Sequence, residues 1–267
     1  MIATVVGLEL RRSRSLVGWM AVLSVAYAGI MTLMYPRMAE SNQALQAYMK
    51  VFPKEIIAAF GMENGLSDVG TFFNVYVFSM LWPIVAAIVG ILLATRPVAA
   101  DLDRGFLELP LATRISRRRY LLAGIGVQFV AMLVLVVATL AVIVLIGPLV
   151  GYPFDVARFA VAGLLLLSSG CAIAAVTALL AVVTLSRGVA GGVVAGALVV
   201  MYLLNAVAKI DPGLDWLSYL TAFRYLDPVA TLDSGTWPLD GLAVFALVAA
   251  ASWLGALWAF GRRDLLP

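Results

Sequence analysis

The sequence predicts an all-α polytopic membrane protein with six transmembrane helices, and three observations lead to that fold class. Of the 267 residues, 63% are apolar and only 12% are charged, whereas soluble domains carry about 25% charged residues. Six long stretches contain no Asp, Glu, Lys or Arg. These stretches are continuously rich in Ala, Leu and Val, which favours helices over the alternating strands of a membrane barrel. A soluble globular fold is therefore excluded.

The six stretches predict the spans in chain order. A hydrocarbon core about 30 Å thick requires about 20 mostly apolar helical residues. The predicted spans cover residues 15–35, 71–95, 120–146, 159–185, 189–208 and 241–260, and each is long enough to cross. We interpret residues 1–267 as a single transmembrane domain with both ends of the chain on one side of the membrane.

The distribution of charge predicts which side that is. With the termini in the cytoplasm, the connections on that side carry twelve arginines and five acidic residues, whereas the opposite connections carry six basic and ten acidic residues. Cytoplasmic loops of membrane proteins are enriched in Lys and Arg. Both termini are therefore predicted to be cytoplasmic. The net charge of +3 contains no long block of one sign, so a nucleic-acid partner is not expected.

Two predicted cytoplasmic segments mix apolar and charged residues. Residues 4–14 are typical of a short helix lying along the membrane interface. The loop of residues 96–119 is half apolar and half charged. Its composition allows a solvated turn that arginines anchor to anionic lipid, or a docking surface for a cytoplasmic protein. The length of the loop favours docking, because a connector needs only a few residues.

Two features of the predicted spans and their connections concern shape. Trp82-Pro83 predicts a kink in the second span, because proline removes a helical hydrogen bond. The outer connection of residues 209–240 is rich in aromatic side chains, namely Trp216, Tyr219, Phe223, Tyr225 and Trp237. Aromatic residues at that depth are typical of the headgroup belt, and a substrate gate is the alternative.

Most catalytic chemistry is excluded by composition. The chain has no histidine and one cysteine, Cys171, so it cannot form an internal disulfide, a Cys/His zinc site or a Ser-His-Asp triad. The only lysines are Lys50, Lys54 and Lys209, all predicted outside, and no phosphate-binding loop is present. We therefore predict no enzyme activity, and no catalytic, cofactor or metal site in this chain.

The predicted spans contain no ionisable Asp, Glu, Lys or Arg. Ion-coupled carriers generally place such groups inside the membrane, so the absence argues against a secondary carrier and favours an amphiphilic or lipophilic cargo. Gln128 and Asn205 are the candidate residues for a substrate path, because amides are costly to leave facing lipid. The alternative is that they join helices by hydrogen bonds.

Three glycines recur every four residues in the fifth span: Gly188, Gly192 and Gly196. This small-xxx-small pattern lets two helix backbones approach closely. It predicts a packing seam, either within one subunit or across a dimer.

Three segments resemble one known family. Residues 99–117, AADLDRGFLELPLATRISR, are similar to the signature of ABC-2 type permeases, in which an acidic stretch and a glycine lead through a leucine-rich turn to a P-x-S-R element. Residues 52–61, FPKEIIAAFG, resemble the outer segment of that family, and residues 260–265, FGRRDL, resemble its C-terminal F-x-R-R-D. The chain departs from the pattern at Asp101, Asp103, Phe106 and Arg114, where the family has two glutamates, a threonine and a proline.

The resemblance implies the membrane half of a bacterial ABC transporter in the cytoplasmic membrane, with export as the direction by family analogy. A second permease subunit, identical or closely related, and two ATP-binding cassette subunits would complete it, with ATP and Mg²⁺ bound by the ATPases. The loop between spans two and three would be the coupling helix. Its ATPase-docking residues would be Arg104, Phe106, Leu107, Glu108, Leu109, Leu111, Arg114 and Arg117.

Two other functions remain open from the sequence. A membrane scaffold or regulator would use the loop of residues 96–119 to bind a cytoplasmic partner that is not an ATPase. A stand-alone carrier or channel would need no such partner.

Overall fold

The computed structural model describes residues 2–41, 51, 53, 57, 59, 67–95 and 117–262. Within these residues the chain forms helices and no strand. Six helices are long and apolar enough to cross a membrane, which confirms the predicted fold class. Residues 96–116 of the predicted coupling loop, which was placed over residues 96–119, lie outside the described residues.

Spans 2 to 6 begin and end within a few residues of the predicted positions, whereas the helix of span 1 extends beyond the predicted residues 15–35 at both ends. Span 1 is Ile2–Glu40, span 3 is Arg117–Ile146, span 4 is Val156–Thr184, span 5 is Arg187–Ile210 and span 6 is Leu239–Arg262. Span 2 has three parts, an α-helix over Val69–Phe73, a π-helix over Asn74–Leu81 and an α-helix over Trp82–Ala94.

Span 1 is a single helix of 39 residues. At 1.5 Å per residue it is roughly 58 Å long, almost twice the thickness of the hydrocarbon core. The segment of residues 4–14 is helical and continues into the span without a break, so the structure shows no separate short helix there. Its placement along the membrane interface stays a prediction.

Aromatic and aliphatic clusters define the two ends of the bundle. At one end, which we call the distal end, the ring of Tyr35 lies 5.2 Å from Phe72 and 5.1 Å from Tyr152. At the opposite end, which we call the terminal end, Leu121, Val182 and Phe260 form a second cluster. Successive spans therefore run in opposite directions, and the N-terminus of span 1 lies at the same end of the bundle as the C-terminus of span 6.

Span 4 lies at the centre of the bundle and packs against spans 2, 3, 5 and 6, whereas span 1 packs mainly against span 3. The indole Nε1 of Trp82 donates a hydrogen bond of 3.1 Å to Ser169 Oγ, joining span 2 to span 4 in the buried core. Side chains fix where the spans begin. Asp155 accepts from the backbone N–H groups of residues 157 and 158, and Ser186 accepts from that of residue 189.

The connection between spans 5 and 6 folds back onto the distal end of the bundle. It contains a 3₁₀-helix over Pro212–Leu220 and short helices over Ala222–Tyr225 and Val229–Ser234. Asp211 and Thr221 cap the first two of these by accepting from backbone N–H groups. The residues from 219 to 226 form the layer that we call the roof.

Candidate functional site

Two apolar cavities flank span 5. The first, which we call the groove cavity, lies between spans 2 and 5 and has a volume of about 580 Å³. The second, the lateral cavity, lies between spans 4, 5 and 6 beneath the roof and has a volume of about 350 Å³. Both volumes are of the size found for small-molecule sites in proteins, about 300–1,000 Å³.

Among the described residues, no charged side chain lines the groove cavity. Span 2 contributes Ile84 and Ile88, and span 5 contributes Val199, all partly exposed. Of the described residues in its lining, Ser79 and Tyr202 are the two with a side-chain hydroxyl group. This composition suits a lipophilic or amphiphilic molecule, since a charged group would lose its hydration without finding a partner.

Three side chains border both cavities: Pro83 from span 2, Leu198 from span 5 and Phe223 from the roof. The ring of Phe223 packs edge-on against Tyr202 of span 5, with ring centroids 5.3 Å apart. The two spaces are therefore separated by a thin partition of side chains beneath the roof.

Span 2 departs from α-helical geometry where it lines the groove cavity. The π-helix ends at Leu81, and Pro83 occupies the first turn of the α-helix that follows. A π-turn aligns residues five apart, and Ser79 accordingly donates a hydrogen bond of 2.9 Å to Asn74 Oδ1. The Asn74 amide donates in turn to Asp227 at 3.3 Å. The irregular turn of span 2 is thus joined to the connection between spans 5 and 6.

A polar clamp holds the distal end of span 2. Asp68 accepts from Thr71 N, and Asp233 accepts from Gly70 N at 2.9 Å. Arg158 of span 4 donates to the carbonyl oxygens of residues 232 and 233. Burial raises the pKa of Asp233, and the nearby carboxylate of Asp68 raises it further. The clamp ties spans 2 and 4 to the helix over Val229–Ser234.

The two predicted substrate-path residues are not part of the walls of these cavities. Gln128 is 1% exposed, and its side-chain nitrogen and oxygen have no hydrogen-bond partner among the described residues. Asn205 is also buried, and its Oδ1 lies 3.3 Å from Thr221 Oγ1 of the roof. Neither residue lines the groove cavity or the lateral cavity. Their role in transport stays a prediction.

The glycine stripe of span 5 faces away from the other described residues of the chain. A Cβ atom added to Gly188, Gly192 or Gly196 would meet no described atom within 4 Å. The stripe therefore packs against no other described span, so the described residues form no glycine packing seam within one subunit.

The predicted docking residues from Arg104 to Arg114 lie outside the described residues, and so does the side chain of Arg117. Within the described part of the chain, no group of three or more His, Cys, Asp or Glu residues could hold a metal ion.

The sequence does not predict the shared partition as a site. Phe223 belongs to the aromatic connection for which the sequence predicts a headgroup belt, with a substrate gate as the alternative. Pro83 predicts only a kink, and Leu198 is indistinguishable from other apolar residues of its span. Only the folding back of the 5–6 connection brings these three positions together.

Comparison with known families agrees with this architecture. The sequence model described as ABC-2 family transporter protein matches residues 7–265. The chain belongs to this family. No curated protein matches it significantly. Membership identifies the chain as a multi-pass membrane permease, the transmembrane subunit of an ABC transporter rather than its ATPase, and it implies an ATP-binding cassette subunit as partner.

Proposed function

We propose that this ABC-2 permease moves amphiphilic or lipophilic small molecules out of a bacterial cell through the cytoplasmic membrane. The observation that carries the proposal is the uncharged groove cavity between spans 2 and 5. Its walls would bind apolar surface of the cargo. Gln128 and Asn205 would make polar contacts to the cargo only if substrate binding rearranged the helices so that the cavity reached these two side chains.

The driving force would come from a separate ATPase that binds ATP and Mg²⁺ and docks on the loop of residues 96–119. Span 2 leads directly into this loop and forms one wall of the groove cavity, opposite span 5. Apolar loop residues would occupy a cleft of the ATPase, and the arginines would fix the orientation by charge pairing. The terminal end, which carries Arg11, Arg14 and Arg187, would face the cytoplasm.

A second permease subunit, either a second copy of this chain or a close relative, would complete the transporter. The outward-facing stripe of Gly188, Gly192 and Gly196 would let the two span 5 backbones approach closely. Gly192→Leu should then weaken dimerisation in detergent. Gly126→Leu is the matched control, because Gly126 is a helical glycine of span 3 that also meets no atom within 4 Å.

The docking hypothesis is tested by co-purification of the affinity-tagged chain from cells that express the complete transporter. We expect an ATP-binding protein to co-purify with the native chain and to be lost when Phe106, Leu109 and Leu111 are all replaced by Asp. The control replaces Trp216, Trp237 and Leu239 by Asp, since these exposed apolar residues lie at the distal end. Loss of the partner in the control alone, or a partner that binds no ATP, would contradict the proposal.

A further inference from the structure

The lateral cavity opens on the side of the bundle between spans 5 and 6. Both spans pack against span 4, but along their described lengths they have little direct contact with each other. Val193 of span 5 and Val248 of span 6 line the cavity and are 52% and 39% exposed, whereas Val194 and Phe245 line it and are each 5% exposed. The opening therefore lies at the level of two membrane spans, where the surrounding medium is hydrocarbon.

The interior of the lateral cavity offers little to a polar ligand. Among the described residues, no charged side chain lines it. Of the four hydroxyl groups in its lining, those of Ser169, Thr221 and Tyr225 already have hydrogen-bond partners, and the fourth belongs to Tyr219 at the exposed edge of the roof. Ser169 Oγ accepts from Trp82 and donates to the carbonyl oxygen of Leu166. Thr221 Oγ1 lies 2.9 Å from the carbonyl oxygen of Ser218 and accepts from Arg224 N. Apolar cavities of this kind exclude water, and a space of about 150 Å³ already holds benzene.

The edge of the roof carries a cation beside this apolar space. The guanidinium of Arg224 lies 3.6 Å from the ring centroid of Tyr219, and Tyr219 lines the cavity. The side-chain hydrogen bonds of Arg224 to described residues, Ser218 and Asp215, both use Nη1. Nε and Nη2 can therefore donate to an anionic oxygen, and paired N–H donors of arginine suit phosphate oxygens.

We propose that the lateral cavity binds one acyl chain of a membrane phospholipid, which enters from the bilayer between spans 5 and 6 while its phosphate lies beside Arg224. This site is separate from the proposed cargo path and requires neither ATP nor the ATPase. Leu198 and Phe223 lie between the two spaces, so a bound acyl chain supports the span 5 wall of the groove cavity from behind.

The test uses the purified full chain in nanodiscs that contain a phosphatidylglycerol with a photoreactive diazirine on one acyl chain. After irradiation, labelled peptides are located by mass spectrometry. We expect labelling to concentrate on the cavity-lining residues of spans 5 and 6. In Val193→Trp, whose indole closes the opening, labelling there should fall about tenfold, as for an affinity loss of about 1.4 kcal/mol.

Val200→Trp is the matched control, because Val200 is a similarly exposed valine of span 5 that lines neither cavity. It should label as the native chain does. Arg224→Gln should weaken labelling by the phospholipid but not by a diazirine fatty alcohol, which separates the phosphate contact from the chain contact. Equal labelling of the cavity and of other exposed apolar surfaces in all variants would overturn the proposal. So would chain-to-chain cross-links at the opening, because a second copy would then cover it.

Discussion

Span 4 and span 5 are neighbouring helices of similar composition with opposite surroundings. Span 4 contacts four other spans and its side chains fill the core, whereas span 5 has a cavity on each side and an outward-facing glycine stripe. A buried helix in a close-packed interior moves only with its neighbours. Span 5 lacks that restraint over much of its surface, so the bundle combines a rigid centre with a loosely held wall beside the cavities.

The largest expected difference in the free energy of unfolding between the two regions results from removing an aromatic ring of the distal cluster. Phe73 is completely buried and packs edge-on against Phe159 and Phe154. Phe73→Ala should lower the free energy of unfolding by about 3–5 kcal/mol. Val200→Ala on exposed span 5 should change it by less than about 0.5 kcal/mol. Thermal unfolding of both variants in one detergent measures the contrast, and equal shifts would contradict a rigid centre.

A smaller effect on stability is expected when alanine replaces a glycine in close contact with other residues and one that faces outward. A Cβ at Gly241, where span 6 begins, would collide with the backbone carbonyl oxygen of Tyr225 and lie 2.7 Å from Leu165 Cδ1. Gly241→Ala should therefore cost about 1–3 kcal/mol of stability. Gly192→Ala meets no atom and should be neutral or gain up to about 1 kcal/mol from helix propensity. The same unfolding assay applies, and a destabilised Gly192→Ala in the isolated chain would reveal a contact that the structure lacks.

The hydrogen bond between spans 2 and 4 provides a further test of the rigid centre. Ser169→Ala leaves the buried indole N–H of Trp82 without its acceptor, at an expected cost of about 1–3 kcal/mol. Ser168→Ala is the control, because Ser168 is less buried and its hydroxyl donates only to the local carbonyl of Leu165. Ser168→Ala should have the smaller effect on the unfolding temperature. The reverse order would show that the indole has another acceptor.

The smallest expected effect is a pH dependence in the polar clamp. Because the folded-state pKa of Asp233 is raised, the folded state binds its proton more tightly than the unfolded state does. Stability should be greatest below the ordinary carboxyl pKa and should fall as the pH rises through the raised value. In Asp233→Asn the amide oxygen can still accept from Gly70 N, and the dependence should flatten.

Unfolding temperatures measured from acidic to neutral pH test this prediction. Asp211→Asn is a control at an exposed carboxylate that only caps the 3₁₀-helix. An unchanged slope in Asp233→Asn would assign the titration to another group.

The spans were predictable because membrane insertion depends on length and apolarity, which are local properties of the sequence. Pro83 likewise marked an irregular helix. The π-helix before it was not predictable, since Asn74 is drawn toward Asp227, which is distant in sequence. The clamp joins Gly70 to Asp233 across 163 positions for the same reason.

The cavities themselves could not be predicted from the sequence. Their position depends on how the roof residues fold back over spans 4 to 6, and no local pattern records that. Gln128 and Asn205 were predicted because their amides are polar residues within apolar spans. The cavity walls consist of apolar residues, which the sequence does not distinguish from the remaining apolar residues of each span.

The most direct test of a rigid centre with a movable span 5 is the distance between spans 2 and 5, measured with and without nucleotide. Spin labels on cysteines introduced at Ile88 and Val199, both in the wall of the groove cavity, report its width when Cys171 is replaced by Ala. Labels at Leu164 of span 4 and Leu247 of span 6, both exposed, report the rigid centre. In the complex with the ATPase, a non-hydrolysable ATP analogue should shift the 88–199 distance distribution and leave the 164–247 distribution unchanged. An 88–199 distribution that ignores nucleotide, or that shifts without the ATPase, would contradict the account.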